Sequence, residues 1–127
     1  MIRVAIESPL QANSKEQSAR NIRYARICAV DCLRRGESPY ASHLFFTQVL
    51  NDATPEEREL GMRAGLEWAK CAHVRAVYTD LGTTDGMSIG IRDAHPMGQK
   101  IEFRKLPQEL RDWFLAGSSP KGTEGVD

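Results

Sequence analysis

Residues 74–79, Val-Arg-Ala-Val-Tyr-Thr, narrow the choice of fold more than any other stretch. The run is mostly β-branched and apolar, and segments of helical period lie on either side of it. A strand set between helices is the unit of a parallel sheet, because parallel neighbours need a long crossover connection. The run continues through Tyr78-Thr79-Asp80-Leu81, turns at Gly82, and reaches a helix start at Thr83-Thr84-Asp85-Gly86-Met87. Open α/β sheets bind ligands at such carboxyl ends of strands. Free N–H groups and the helix dipole there favour phosphates and carboxylates. The first strand, about residues 2–7, also ends in a polar turn, Ser8-Pro9-Leu10. If the two strand ends meet, they frame a pocket.

The rest of the chain alternates in the same way. A first helix is expected from about Glu16 to Arg35, with Ala19, Ile22, Ala25, Ile27, Ala29, Val30 and Leu33 as its apolar stripe and Gly36 as its stop. A short strand at residues 39–42 leads into residues 43–50, read as a helical turn or short helix. Thr54 as N-cap, Pro55 at the first helical position and Glu57 as capping-box partner predict a helix to about Lys70. The helix from Thr84 must end by His95, because Pro96 disfavours helical geometry before it. A last strand at 100–104 and a helix at 107–115, docking through Leu110, Trp113, Phe114 and Leu115, complete a single domain over residues 2–116. Residues 117–127 carry too little apolar surface to fold and are expected to form a disordered tail. The order predicts an α/β protein with a mostly parallel sheet of four or five strands and helices on both faces.

Seventeen basic and seventeen acidic residues give a formal net charge of zero, which argues against non-specific nucleic-acid binding. No apolar run approaches the roughly 20 residues that cross a bilayer, so no membrane partner is expected. Met1 leads straight into the first strand, so no secretory leader is expected either. Cys28, Cys32 and Cys71 are read as small buried apolar residues of a reducing cytoplasm, and scattered His43, His73 and His95 complete no metal pattern. No Gly-x-Gly-x-x-Gly follows the first strand and no phosphate-loop motif is present, so no cofactor is expected.

The ligand-binding expectation covers Ser8, Pro9, Asn21, His43, Asp80, Gly82, Thr83, Thr84, Asp85, Gly86 and Met87. Ser8 suits a phosphate or sugar hydroxyl, or caps the loop before Pro9. His43 suits a phosphate contact or acid chemistry near neutral pH, or packs beside Phe45. Asp80 and Asp85 are the candidate catalytic carboxylates; their alternative roles are ordering the Gly82 turn and capping the helix. Glu7 ends the first strand and is a further carboxylate that could serve at a sugar, or it faces solvent opposite Ile6. Arg20, Arg23 and Arg26 form a solvated stripe. Gly61 and Gly65, four apart in a helix, suggest close backbone packing against a neighbouring helix or across a dimer; a homo-oligomer is expected, with Trp68 near the contact.

Several pieces together resemble a known family. They are Glu7-Ser8-Pro9, the helix with Asn21-Ile22-Arg23-Tyr24-Ala25-Arg26, Pro39-Tyr40-Ala41-Ser42-His43, Asn51-Asp52, Glu56 to Met62, and Val77 to Gly82 running into Gly86-Met87-Ser88-Ile89-Gly90-Ile91. Over residues 2–106 the chain resembles a phage and bacterial branch of the proteins related to nucleoside 2-deoxyribosyltransferases and nucleotide N-glycosidases. The resemblance implies a Rossmann-like (flavodoxin-like) sandwich. It also implies a carboxylate nucleophile, usually Glu, on the helix after the strand-end Asp. Gly90 stands at that position and cannot attack. The expected function is therefore a non-catalytic binder of a nucleotide-derived or ribosyl ligand. Such a binder would sequester a defence signal, for example a cyclic ADP-ribose derivative, in the cytoplasm of a phage's host. The alternative is a glycosidase or deoxyribosyltransferase that uses Asp80 or Asp85 instead.

Overall fold

In the computed structural model, which describes residues 1–118 and 120, four strands pair side by side, all parallel, in the order β2-β1-β3-β4. β1 is Arg3–Glu7, β2 Ser38–Tyr40, β3 Val74–Tyr78 and β4 Lys100–Arg104. The helices between and after them are α1, Lys15–Arg34; α2, Pro55–Ala69; α3, Asp85–Ala94; and α4, Gln108–Leu115. The fold is the expected α/β sandwich of Rossmann-like, flavodoxin-like type. The connection through α1 runs from β1 toward one edge, and those through α2 and α3 run toward the other. Right-handed crossovers then put α1 on one face and α2 and α3 on the opposite face. The order reverses between β1 and β3, which makes their carboxyl ends the switch point of the sheet.

Local chemistry sets the element ends. The Ser14 hydroxyl accepts from the Gln17 N–H at 3.1 Å and opens α1. Gly36, at φ +79°, turns the chain after it. Thr54 and Pro55 open α2 as expected, but Thr54 makes no side-chain cap; the Glu57 carboxylate accepts from the Asn51 N–H instead, at 3.0 Å. Thr84 caps α3 by accepting from the Met87 N–H, so Asp85 is the first helical residue rather than the cap. Pro96 ends α3 at Ala94, and His95–Met97 continue as a 3-10 turn. Residues 43–50 fall into two 3-10 turns, Ser42–Leu44 and Phe46–Gln48. Of the expected disordered tail, all but Gly117, Ser118 and Pro120 lies outside the described residues.

The two faces of the sheet differ sharply. Val4, Ile6, Val74, Ala76 and Tyr78 point at α1 and α4, where Tyr24, Ile27, Cys28, Leu106, Leu110 and Phe114 close a dense apolar core. The other face presents Ala5, Glu7 and Arg75, with Ala5 in register with Arg75 and Glu7 with Val77. Small and charged residues cannot fill the space under α2 and α3. α2 still approaches closely at its own edge: a Cβ on Gly65 would lie 2.8 Å from Ser42 Cβ, and one on Gly61 3.2 Å from Leu50 Cδ1. The Gly61/Gly65 face thus packs within the chain, not across a dimer.

Candidate functional site

The under-filled face encloses a cavity of about 110 Å3 between β1, α2, α3 and the 3-10 turns. Its floor is β1, its walls are largely apolar (Leu10, Phe46, Leu50, Met62, Leu66, Met87), and its polar groups come from the ends of β1 and β2, the start of α3, the 3-10 turns, and Asp52, Glu57 and Arg58 at and before the start of α2. It therefore opens at the switch point.

Glu7 is its central ionisable group. Rather than facing solvent, its side chain is 13 % exposed and turns toward α3. A Cβ at position 90 would overlap the Glu7 carboxyl group, so Gly90 is the residue that admits it. Arg75, fully buried in mid-strand, lies 3.4 Å from Glu7 Oε2 and 3.4 Å from Asp93 Oδ2, and donates to the Gly90 carbonyl at 2.8 Å. Burial raises the Glu7 pKa to about 7, from an ordinary 4.5, against the opposing pull of Arg75. At neutral pH this carboxyl group is present in both forms and can donate or accept a proton.

Around Glu7 stand Ser8, Tyr40 and His43. His43 Nε2 donates to the Ser8 carbonyl at 2.7 Å, which makes Nδ1 the acceptor nitrogen of the neutral ring. Burial pushes the His43 pKa down, so the ring is held neutral. The Ser8 Oγ and Tyr40 hydroxyl are buried with no hydrogen-bond partner among the described residues. At the start of α3, Thr84, Gly86 and Met87 also line the cavity. The Asp85 and Gly86 N–H groups belong to the first turn, where no intrahelical acceptor exists. Arg58, from the first part of α2, lines the opposite side.

Of the residues expected to bind ligand, Ser8, His43, Thr84, Gly86 and Met87 thus come together. The other six do not line the cavity. Asp80 turns to the opposite face of the sheet, where the Tyr24 hydroxyl donates to it at 2.6 Å, the Leu106 N–H at 3.1 Å, and Arg111 Nε lies 3.6 Å away. It ties α1, β3 and the start of α4 together. Asp85 and Thr83 are exposed, and Gly82 makes a turn at φ +86°. Pro9 is buried behind the strand end. Asn21 donates to the Leu10 and Gln11 carbonyls at 3.2 and 3.3 Å, holding the loop at the rim. Sequence reasoning missed Tyr40 and Arg75 and left Glu7 open between the site and solvent. An Arg inside a buried strand was the available signal, since a buried guanidinium demands acidic partners.

Among the described residues no three His, Cys, Asp or Glu side chains are grouped to hold a metal ion. No helix of the described residues is long and apolar enough to cross a membrane. Residues 2–104 match the model of a family described as a domain of unknown function (DUF7768). No curated protein matches the chain.

Proposed function

The chain belongs to the DUF7768 family, and from the chemistry of its cavity we propose that it binds a small nucleotide-derived or ribosyl ligand at the β1–β3 switch point. One observation carries this reading. Two buried hydroxyls, on Ser8 and Tyr40, line a largely apolar cavity without partners among the described residues. Leaving such a group unpaired costs about 1–3 kcal/mol, and a polyol placed there would satisfy both. Ribose hydroxyls suit Glu7, Ser8 and Tyr40; a flat base suits Phe46, Leu66 and Met87; a phosphate suits Arg58 and the start of α3. Held without turnover, such a ligand is sequestered, and a cyclic ADP-ribose derivative used as a defence signal fits this chemistry. Native mass spectrometry of the purified protein, followed by calorimetry with ADP-ribose, adenosine and nucleoside monophosphates, tests it. Binding is expected to weaken about three- to tenfold in Tyr40→Phe, the range for one neutral hydrogen bond. Absence of binding by every compound would reject the reading.

Glu7 favours a second reading, an N-glycosidase or 2-deoxyribosyltransferase with a non-standard carboxylate. The space that a side chain at position 90 would use holds the Glu7 carboxyl group. β1 thereby supplies a carboxylate where the resemblance looks for one on the helix. Asp80 and Asp85, the other carboxylates the sequence offers, do not line the cavity. Ionised Glu7 would attack the anomeric carbon as the bond to the base breaks, and water would resolve the ester. Free base released from nucleosides, and lost in Glu7→Gln, would establish this reading; no release leaves the binder.

A further inference from the structure

We infer that the outward face of α2 is a contact between two copies of this chain, with the two helices antiparallel and crossing at Ala64. Its own chain holds α2 weakly. Of its fifteen residues only Gly65 and Ala69 are buried, while Leu60 and Trp68 are 47 % and 64 % exposed. Leu60, Ala64 and Trp68 recur at four-residue spacing and share one face. Gly61 and Gly65 take the inner side against Phe46, Leu50 and Ser42. A two-thirds exposed Trp on a helix that buries so little is an unpartnered face rather than scattered surface apolarity.

Charge identifies the occupant. Glu56, Arg63, Glu67 and Lys70 are exposed along one flank of that face, with Lys70 Nζ 3.2 Å from Glu67 Oε1 within the chain. A two-fold axis at Ala64 sets Leu60 level with the partner's Trp68. The same axis brings Arg63 within two residues of the partner's Glu67, and Glu56 within two of the partner's Lys70, about 3 Å of rise in each case. Each pairing occurs twice by symmetry. The antiparallel arrangement also opposes the helix dipoles. The small Ala64 side chain lets the helices approach closely. Because Arg58, Met62 and Leu66 on the same helix line the cavity, the second copy would brace the cavity wall from outside.

The test does not depend on any ligand. Analytical ultracentrifugation of the full chain from micromolar to near-millimolar concentration should show a monomer–dimer equilibrium. Trp68→Glu should give a monomer with an unchanged circular dichroism spectrum. Arg63→Glu should weaken the dimer by about tenfold, from two exposed pairs turned repulsive, and adding Glu67→Arg should restore it. A monomer at every concentration, a dimer indifferent to Trp68→Glu, or a double reversal that fails to restore association would each overturn the proposal.

Discussion

Glu7 sets the pH dependence of the fold. Its carboxyl group, pushed up to about 7 by burial, binds its proton more tightly in the folded protein than in the unfolded chain. The stabilisation is full below pH 4.5 and is lost as pH rises through 7. At about 1.4 kcal/mol per pH unit this is on the order of 3 kcal/mol. His43 acts with the opposite sign: burial lowers its pKa, so its contribution is lost as pH falls below 6.5. Urea unfolding at pH 5 and pH 8 should therefore show Glu7→Gln losing much less stability than wild type over that interval, with His43 common to both. Equal losses would mean that Glu7 is not buried as described. Gly90 belongs to the same unit. Gly90→Ala should destabilise the wild type by about 1–3 kcal/mol, the range for overpacking. In a Glu7→Ala background the same change should stabilise by up to about 1 kcal/mol, from helix propensity alone. Asp80 should behave as a structural residue. Asp80→Ala should cost about 2–3 kcal/mol of stability through the lost Tyr24 and Leu106 bonds, and should leave ligand affinity within about twofold.

At the scale of elements, α2 is the part the chain secures least. Gly65 is where it touches down, so Gly65→Ala should cost about 1–3 kcal/mol in thermal unfolding as the new Cβ meets Ser42. A stabilised variant would show that α2 has room to move outward. Element identities were legible because each depends on neighbours in sequence: Thr54-Pro55 opens α2, Thr84 opens α3, and Pro96 closes it. What the sequence did not reveal was which of several adjacent polar residues takes a given bond. Thr84 caps α3 where Asp85 was one expectation, and Glu57 reaches back to Asn51 because the loop folds its N–H toward the helix.

Across the whole molecule, the parallel sheet and the switch point were readable from the alternation of strands and helices, and so was the gathering of Ser8, His43, Thr84 and Gly86. Those residues follow strand ends, and the topology brings strand ends together. The face each side chain takes was not readable. Asp80 and Glu7 both sit at or just beyond strand ends, but Asp80 is claimed by Tyr24, 56 residues away, and Glu7 by Arg75, 68 residues away. Such distant partners leave no local pattern. Gly90 carried the hidden message: its missing side chain makes room for a carboxylate from another strand. The proposed binding site is the cavity beside Glu7. An amide NMR titration of the protein with ADP-ribose and with adenosine tests it most directly. The expected result is saturable shifts at Glu7, Ser8, His43, Thr84 and Gly86, with Asp80, Asp85 and Asn21 unmoved. No shifts at any accessible concentration, or shifts centred on Asp80 and Arg111, would contradict it.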